Sequence, residues 1–143
     1  MEVCMEIGIK GDASFTVTKE MLASQDGDDT LEVFSTPNMV LKIERTAALS
    51  VLPFLEEGYT MVGVRVDVQH TAATLEGMKV HVHTELIEIS ENGKFLTFKA
   101  EVSNDRGIIG SGTHVRAIVN KKRFMEKLHA ALGEDTKRGY ITT

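Results

Sequence analysis

Cysteine is nearly missing from this chain: Cys4 is the only one among 143 residues, and tryptophan is absent. A single thiol closes no internal disulfide, and without a second Cys it forms neither a zinc knuckle nor a redox pair. Positive charge is also in short supply, with 16 Lys and Arg against 21 Asp and Glu and a net charge of −5. That balance argues against a nucleic-acid partner, which needs a clustered basic face. Lys121, Lys122, Arg123 and Lys127 do cluster, and they read as a solvated helix start. Long apolar runs are lacking too. The longest, Ala47 to Leu55, is broken by Ser50 and Pro53 and falls well short of the roughly 20 residues that span a bilayer. The opening M-E-V-C-M-E-I-G-I-K-G-D mixes acids with apolar residues and has no secretory signal pattern, so no membrane partner and a cytoplasmic location are expected. Only two prolines and 12 scattered glycines interrupt the chain, with no repeat or linker, and residues 1–143 are expected to form a single domain.

What is present alternates between two periods. S-F-T-V-T (Ser14 to Thr18) reads as a short strand, followed by a polar, Asp-rich loop to about Leu31. Ser35 or Thr36 as cap and Pro37 at the first helical position then open a helix that should run to Glu57 and stop at Gly58, with Pro53 kinking it or starting a second short helix. Beyond Gly58 the period becomes two. Val62, Val64, Val66, Val68 and His70 share the face expected to be buried, and Gly63, Arg65, Asp67 and Gln69 share the other. Met78, Val80, Val82 and Leu86 form the next inward set. Asn92-Gly93 suits a two-residue hairpin, after which Leu96, Phe98, Ala100 and Val102 point inward. In the last strand Ser111, Thr113, Val115, Ala117 and Val119 line one side, which turns His114 and Arg116 to the outside or to a subunit interface. K-K-R-F-M-E-K-L-H-A-A-L closes the chain as a short helix.

A meander with one apolar face must cover it, and only the helix after Pro37 is large enough. That helix is apolar nearly all round, as expected of one buried on several sides. The expected fold class is α+β: a hot-dog fold, a curved antiparallel sheet wrapped around a long central helix.

Three residues break the burial pattern. Glu44 falls on a helical stripe with Val40, Leu41, Ala48, Val51 and Leu55. A carboxylate there either holds the helix to a neighbour through a structural bond or serves a site, where perturbed carboxylates concentrate. His70 ends the valine stripe and points to the helix side; it is either a satisfied core histidine or a partner of Glu44. Thr36 stands at the helix N-terminus, as a cap or beside N–H groups suited to an oxyanion. His81 and His83 share one strand face without a recognisable third ligand, so they read as solvent-facing and no metal is assigned. The glycines of G-I-I-G-S-G lie inside a strand pattern and read as permitting close backbone approach, not as a phosphate loop.

Together Thr36, Glu44 and His70, with F-S-T-P-N-M-V-L-K-I-E, L-P-F-L-E-E-G, V-G-V-R-V-D-V-Q-H-T-A-A-T, a following G-M-K-V and I-G-S-G-T-H-V-R, resemble the fluoroacetyl-CoA-thioesterase-like branch of the hot-dog superfamily, from about Val33 to Phe124. The resemblance implies an acyl-CoA thioesterase acting on a small or medium acyl group, with Thr36, Glu44 and His70 as the catalytic set and Gly63 beside the thioester. It implies no metal or redox cofactor, coenzyme A entering only as part of the substrate. Two other readings of the same fold are a non-catalytic acyl-CoA sensor module and a hydratase or dehydratase. The family's founding member selects its substrate with phenylalanines in a lid ahead of the Thr. Q-D-G-D-D-T-L-E-V holds no aromatic residue there, which leaves the acyl group open. Thr36 and Glu44 are about 12 Å apart along a helix, and alternation puts Gly63 opposite His70, so a homodimer with its sites at the subunit boundary is expected.

Overall fold

The computed structural model describes residues 5–25, 27 and 31–138; Cys4, and Asp26 and residues 28–30 of the acidic loop, lie outside them. Ser35 caps the central helix by accepting a hydrogen bond from the Asn38 amide at 3.2 Å, and Pro37 occupies its first turn, where a missing N–H costs nothing. The chain order is β1 (Lys10–Thr16), α1 (Thr36–Val51), β2 (Tyr59–His70), β3 (Lys79–Ile89), β4 (Phe95–Asn104), β5 (Gly107–Asn120) and α2 (Lys121–Arg138). Pro53 ends the helix earlier than expected: α1 stops at Val51 and a 3-10 turn spans Leu52–Phe54. Two further 3-10 turns, Lys19–Met21 and Ala23–Gln25, occupy the segment read as a plain loop, and β1 starts four residues before its expected position. Between β3 and β4 the turn is wider than a two-residue hairpin: Gly93 donates to the Ser90 carbonyl at 2.8 Å and takes a positive φ of 72°.

The five strands form one antiparallel sheet in the order β1-β3-β4-β5-β2, and α1 lies on its inner face. Met39, Ile43, Ala47 and Val51, spaced by four, make the helix stripe that is fully buried against the sheet. Burial is therefore one-sided: Leu41 and the 66% exposed Leu49 face away, and Glu44 lies on the flank of the seam instead of in its middle. Val80, Val82, Leu86, Leu96, Phe98, Ala100 and Val102 are all buried, as alternation demands. Burying Phe98 alone removes enough apolar surface to be worth roughly 1.5–3 kcal/mol. No helix among the described residues is long and apolar enough to cross a membrane.

Strands β2 and β5 depart from simple alternation. Gly63 pairs with Arg116 and Arg65 with Val115, so Val64 is an extra residue, a β-bulge. A one-residue insertion exchanges the two faces of everything beyond it. Met61 and Gly63 on one side of the bulge and Val68 and His70 on the other therefore face α1 together, while Val64 is 53% exposed and Val66 is exposed as well. This corrects the expected placement of Gly63 opposite His70, and of Val64 and Val66 in the core. In β5 the inward set is Gly110, His114, Arg116 and Ile118, the reverse of the expected one. The physical reason is local: a Cβ at Gly110 would lie 2.9 Å from the Gln69 carbonyl oxygen of the paired strand as well as 2.7 Å from the Met39 sulfur, so this inward position suits glycine, and His114 and Arg116 further along the same face carry polar groups.

Candidate active site

The N-terminal turn of α1 and the end of β2 meet where Thr36 Oγ1 lies 2.8 Å from His70 Nδ1. Thr36 is exposed and His70 half-buried, with the Phe34 ring set edge-on to the imidazole at 6.2 Å. Thr36, His70, Phe34, Ser35 and Ala73 line an open cavity of about 470 Å³. Burial lowers the His70 pKa from its ordinary value, opposed by a hydrogen bond to the Ala72 backbone, so the ring is neutral at pH 7. Its Nε2 is buried, so the nitrogen the ring turns to the Thr36 hydroxyl is Nδ1. A neutral imidazole beside a hydroxyl and an open cavity can pass protons to a bound molecule.

Glu44 is placed elsewhere. One and a half turns further along α1 than Met39, it faces β2 and β5, and a Cβ built on Gly63 would come within 3.1 Å of Glu44 Oε2. Only glycine leaves that oxygen uncrowded. Arg116 Nη1 is 3.5 Å from the same oxygen, a long ion pair between a carboxylate 36% exposed and a guanidinium 11% exposed. Desolvation lowers the Arg116 pKa and Glu44 opposes that shift. Buried Nε of Arg116 also has no partner. His114 backs the pair: its Nδ1 donates to the Arg65 carbonyl at 2.8 Å and its Nε2 lies 3.2 Å from Arg116 Nη1.

One chain thus brings Thr36 to His70 and Gly63 to Glu44, and leaves the two pairs separated along α1. The residues missed by sequence reasoning are Arg116 and His114, assigned to the outer face, and Phe34 as a wall of the cavity. Their signal was the polar run H-V-R in a strand whose inward neighbours are glycines. His81 and His83 remain partly exposed on β3 and bond Asp12 of β1 at 3.1 and 2.8 Å.

A helix held in a five-stranded antiparallel sheet, with a hydroxyl, an imidazole and a carboxylate along its flank, defines a hot-dog enzyme of the thioesterase class. The profile of the fluoroacetyl-CoA-specific thioesterase (FlK) family matches residues 17–122, and the chain belongs to that family. It is 36% identical over 97 residues, 68% of either chain, to a fluoroacetyl-CoA thioesterase of Streptantibioticus cattleyicolor. The solved structure of the fluoroacetyl-CoA thioesterase FlK superposes with a TM-score of 0.81 at 30% identity, covering 88% of this chain and 96% of that one. A variant of that enzyme was solved with fluoroacetate and CoA bound. A thioesterase-superfamily member from Thermus thermophilus matches with a TM-score of 0.82 at 29% identity over 93% of this chain and 96% of that one. The protein is an acyl-CoA thioesterase, a thioester hydrolase.

Proposed function

We propose that this enzyme hydrolyses a small or medium acyl-CoA at sites built from Thr36, His70, Glu44 and Gly63, and that each site is completed by a second copy of the chain. The 2.8 Å contact between Thr36 and His70 carries the reading, because it couples a proton-transfer group to a hydroxyl at a helix N-terminus. Glu44 either attacks the thioester carbonyl to give a mixed anhydride, which water then cleaves to free acid and the regenerated carboxylate, or it deprotonates the water that attacks the carbonyl. His70 moves the proton to the leaving thiol, and Thr36 with the first amides of α1 stabilises the oxyanion. Gly63 keeps the thioester close to Glu44. No metal or redox cofactor enters this scheme. With CoA thioesters as substrate, the reading places the enzyme in the cytoplasm.

Two observations support the homodimer. Thr36 and Glu44 are about 12 Å apart along one helix, too far to share one carbonyl carbon. Among the described residues strand β2 is a sheet edge carrying exposed Val64 and Val66, with exposed Leu41 on α1, apolar surface that a second copy of the chain would cover. The bulge removes Gly63 from this argument, since it faces Glu44 of its own chain. Co-expressing Glu44→Gln and Thr36→Ala chains is the test: purified heterodimers regain about one wild-type site if the two residues act across the boundary. Heterodimers as inactive as either parent would refute the shared site. A thiol-release assay over straight-chain acyl-CoAs then identifies the acyl group.

A further inference from the structure

Behind Glu44 lies a fully buried imidazole to which the hydrolysis scheme gives no part. His114 stands on β5 between β2 and β4, with no exposed surface, and the Phe98 ring stacks on it at 6.3 Å and 28°. Its two ring nitrogens meet partners of opposite kind. The Arg65 carbonyl, 2.8 Å from Nδ1, can only accept, and the Arg116 guanidinium, 3.2 Å from Nε2, can only donate. One form of the ring satisfies both: neutral, with its proton on Nδ1 and its lone pair on Nε2 directed at Arg116.

Both partners lead to the same carboxylate. Arg116 Nη1 continues to Glu44 Oε2 at 3.5 Å. Arg65 is the residue at which β2 resumes its pairing after the bulge at Val64, and that bulge is what turns Gly63 to Glu44. We propose that His114 is a positioning residue for the hydrolysis: by donating to Arg65 and accepting from Arg116, it holds the guanidinium against Glu44 and pins the bulge that opens space for that carboxylate. The assignment rests on the reading that Glu44 takes part in catalysis. An apolar residue would fill the same volume beside Phe98 without the cost of burying a polar ring, so the two directed hydrogen bonds are the property that requires histidine.

The test is a double-mutant cycle on purified full-length enzyme, read with the acyl-CoA turned over fastest in the thiol-release assay. His114→Leu should lower kcat about 10- to 100-fold, the scale seen when a group that orients an active-site side chain is removed, with a smaller change in KM. His114→Gln, whose amide can donate to Arg65 and accept from Arg116, should restore most of the loss. In an Arg116→Ala background the Leu substitution should add little, because its effect passes through the guanidinium. Nitrogen NMR of the wild-type imidazole at pH 7.5 should show the neutral Nδ1–H tautomer, a readout that survives even if His114→Leu fails to fold. Equal losses from His114→Leu with and without Arg116, or an Nε2–H tautomer, would overturn the assignment. Wild-type activity in Glu44→Gln would instead remove the underlying reading while leaving the tautomer result intact.

Discussion

Strands β3 and β4 and strands β2 and β5 belong to one sheet, yet they obey different rules. In the first pair the inward positions are aliphatic or aromatic almost without exception: Val80, Val82 and Leu86 on β3, and Leu96, Phe98, Ala100 and Val102 on β4, are all buried. Thr84 is the one hydroxyl among them, its Oγ1 buried without a partner behind Gly11. Both pairs carry a bulge, near the end of β3 at Ile87 and in the middle of β2 at Val64, but only in the second pair do glycines take inward positions beside it and His114, Arg116 and His70 face the helix. Where burial is the only demand on a strand, hydrophobic alternation reports its faces. Where a strand must also carry a guanidinium and imidazoles on its inner face, inward and polar coincide and alternation reports the wrong face.

Substitutions separate the two regions by what they damage. The largest effect falls on β4: Phe98→Ala should cost about 3–5 kcal/mol of stability, the range for emptying a buried aromatic site, visible as a lower denaturant midpoint at unchanged slope. A loss below 1 kcal/mol would show that the β3–β4 side is not the mechanical core. On the other side the damage should be to turnover. Glu44→Gln and His70→Ala should each lower kcat by at least ~10²-fold with thermal unfolding near that of wild type, and Thr36→Ser should keep more activity than Thr36→Ala. Full activity in Glu44→Gln would return that residue to a structural role.

A smaller effect is expected from Gly63→Ala. Its methyl would meet Glu44 Oε2 at 3.1 Å, so the carboxylate must give by a few tenths of an ångström; we expect kcat/KM to fall about 10-fold with stability little changed. Unchanged kcat/KM would mean that Glu44 has room to spare. The mildest test is pH. Burial lowers the pKa of His70 and of His114, so both rings are neutral in the folded enzyme and take up protons less readily than in the unfolded chain. Stability is therefore unaffected by these groups above the ordinary histidine value of about 6.5 and is lost as pH falls below it. The acid limb of kcat/KM should likewise inflect below about pH 6.5, and an inflection above that value would contradict a neutral, desolvated His70.

Much of this protein is determined by its sequence alone. Ser35 followed by Pro37 places the helix start, because a hydroxyl cap and a residue lacking N–H suit the first turn, and Pro53 ends the helix because it cannot continue the hydrogen-bond ladder. The apolar period of two over residues 80–86 and again over residues 96–102 determines two strands and their inner faces, since burial is the demand that acts on them. The residue types at Thr36, Glu44 and His70 were legible as anomalies against those periods. Tertiary structure alone decided how they are grouped. An unpaired Val64 leaves no mark in a run of alternating valines, yet it turns Gly63 to the helix; and Gly110 and Arg116 acquire their direction only when Met39 and Glu44 of α1 arrive opposite them. Register is a relation between two strands, and the close approach of a helix is a relation between layers. Neither is written in the local order of side chains, which is why the sequence named candidate residues and the fold paired Thr36 with His70 and Glu44 with Gly63 and Arg116.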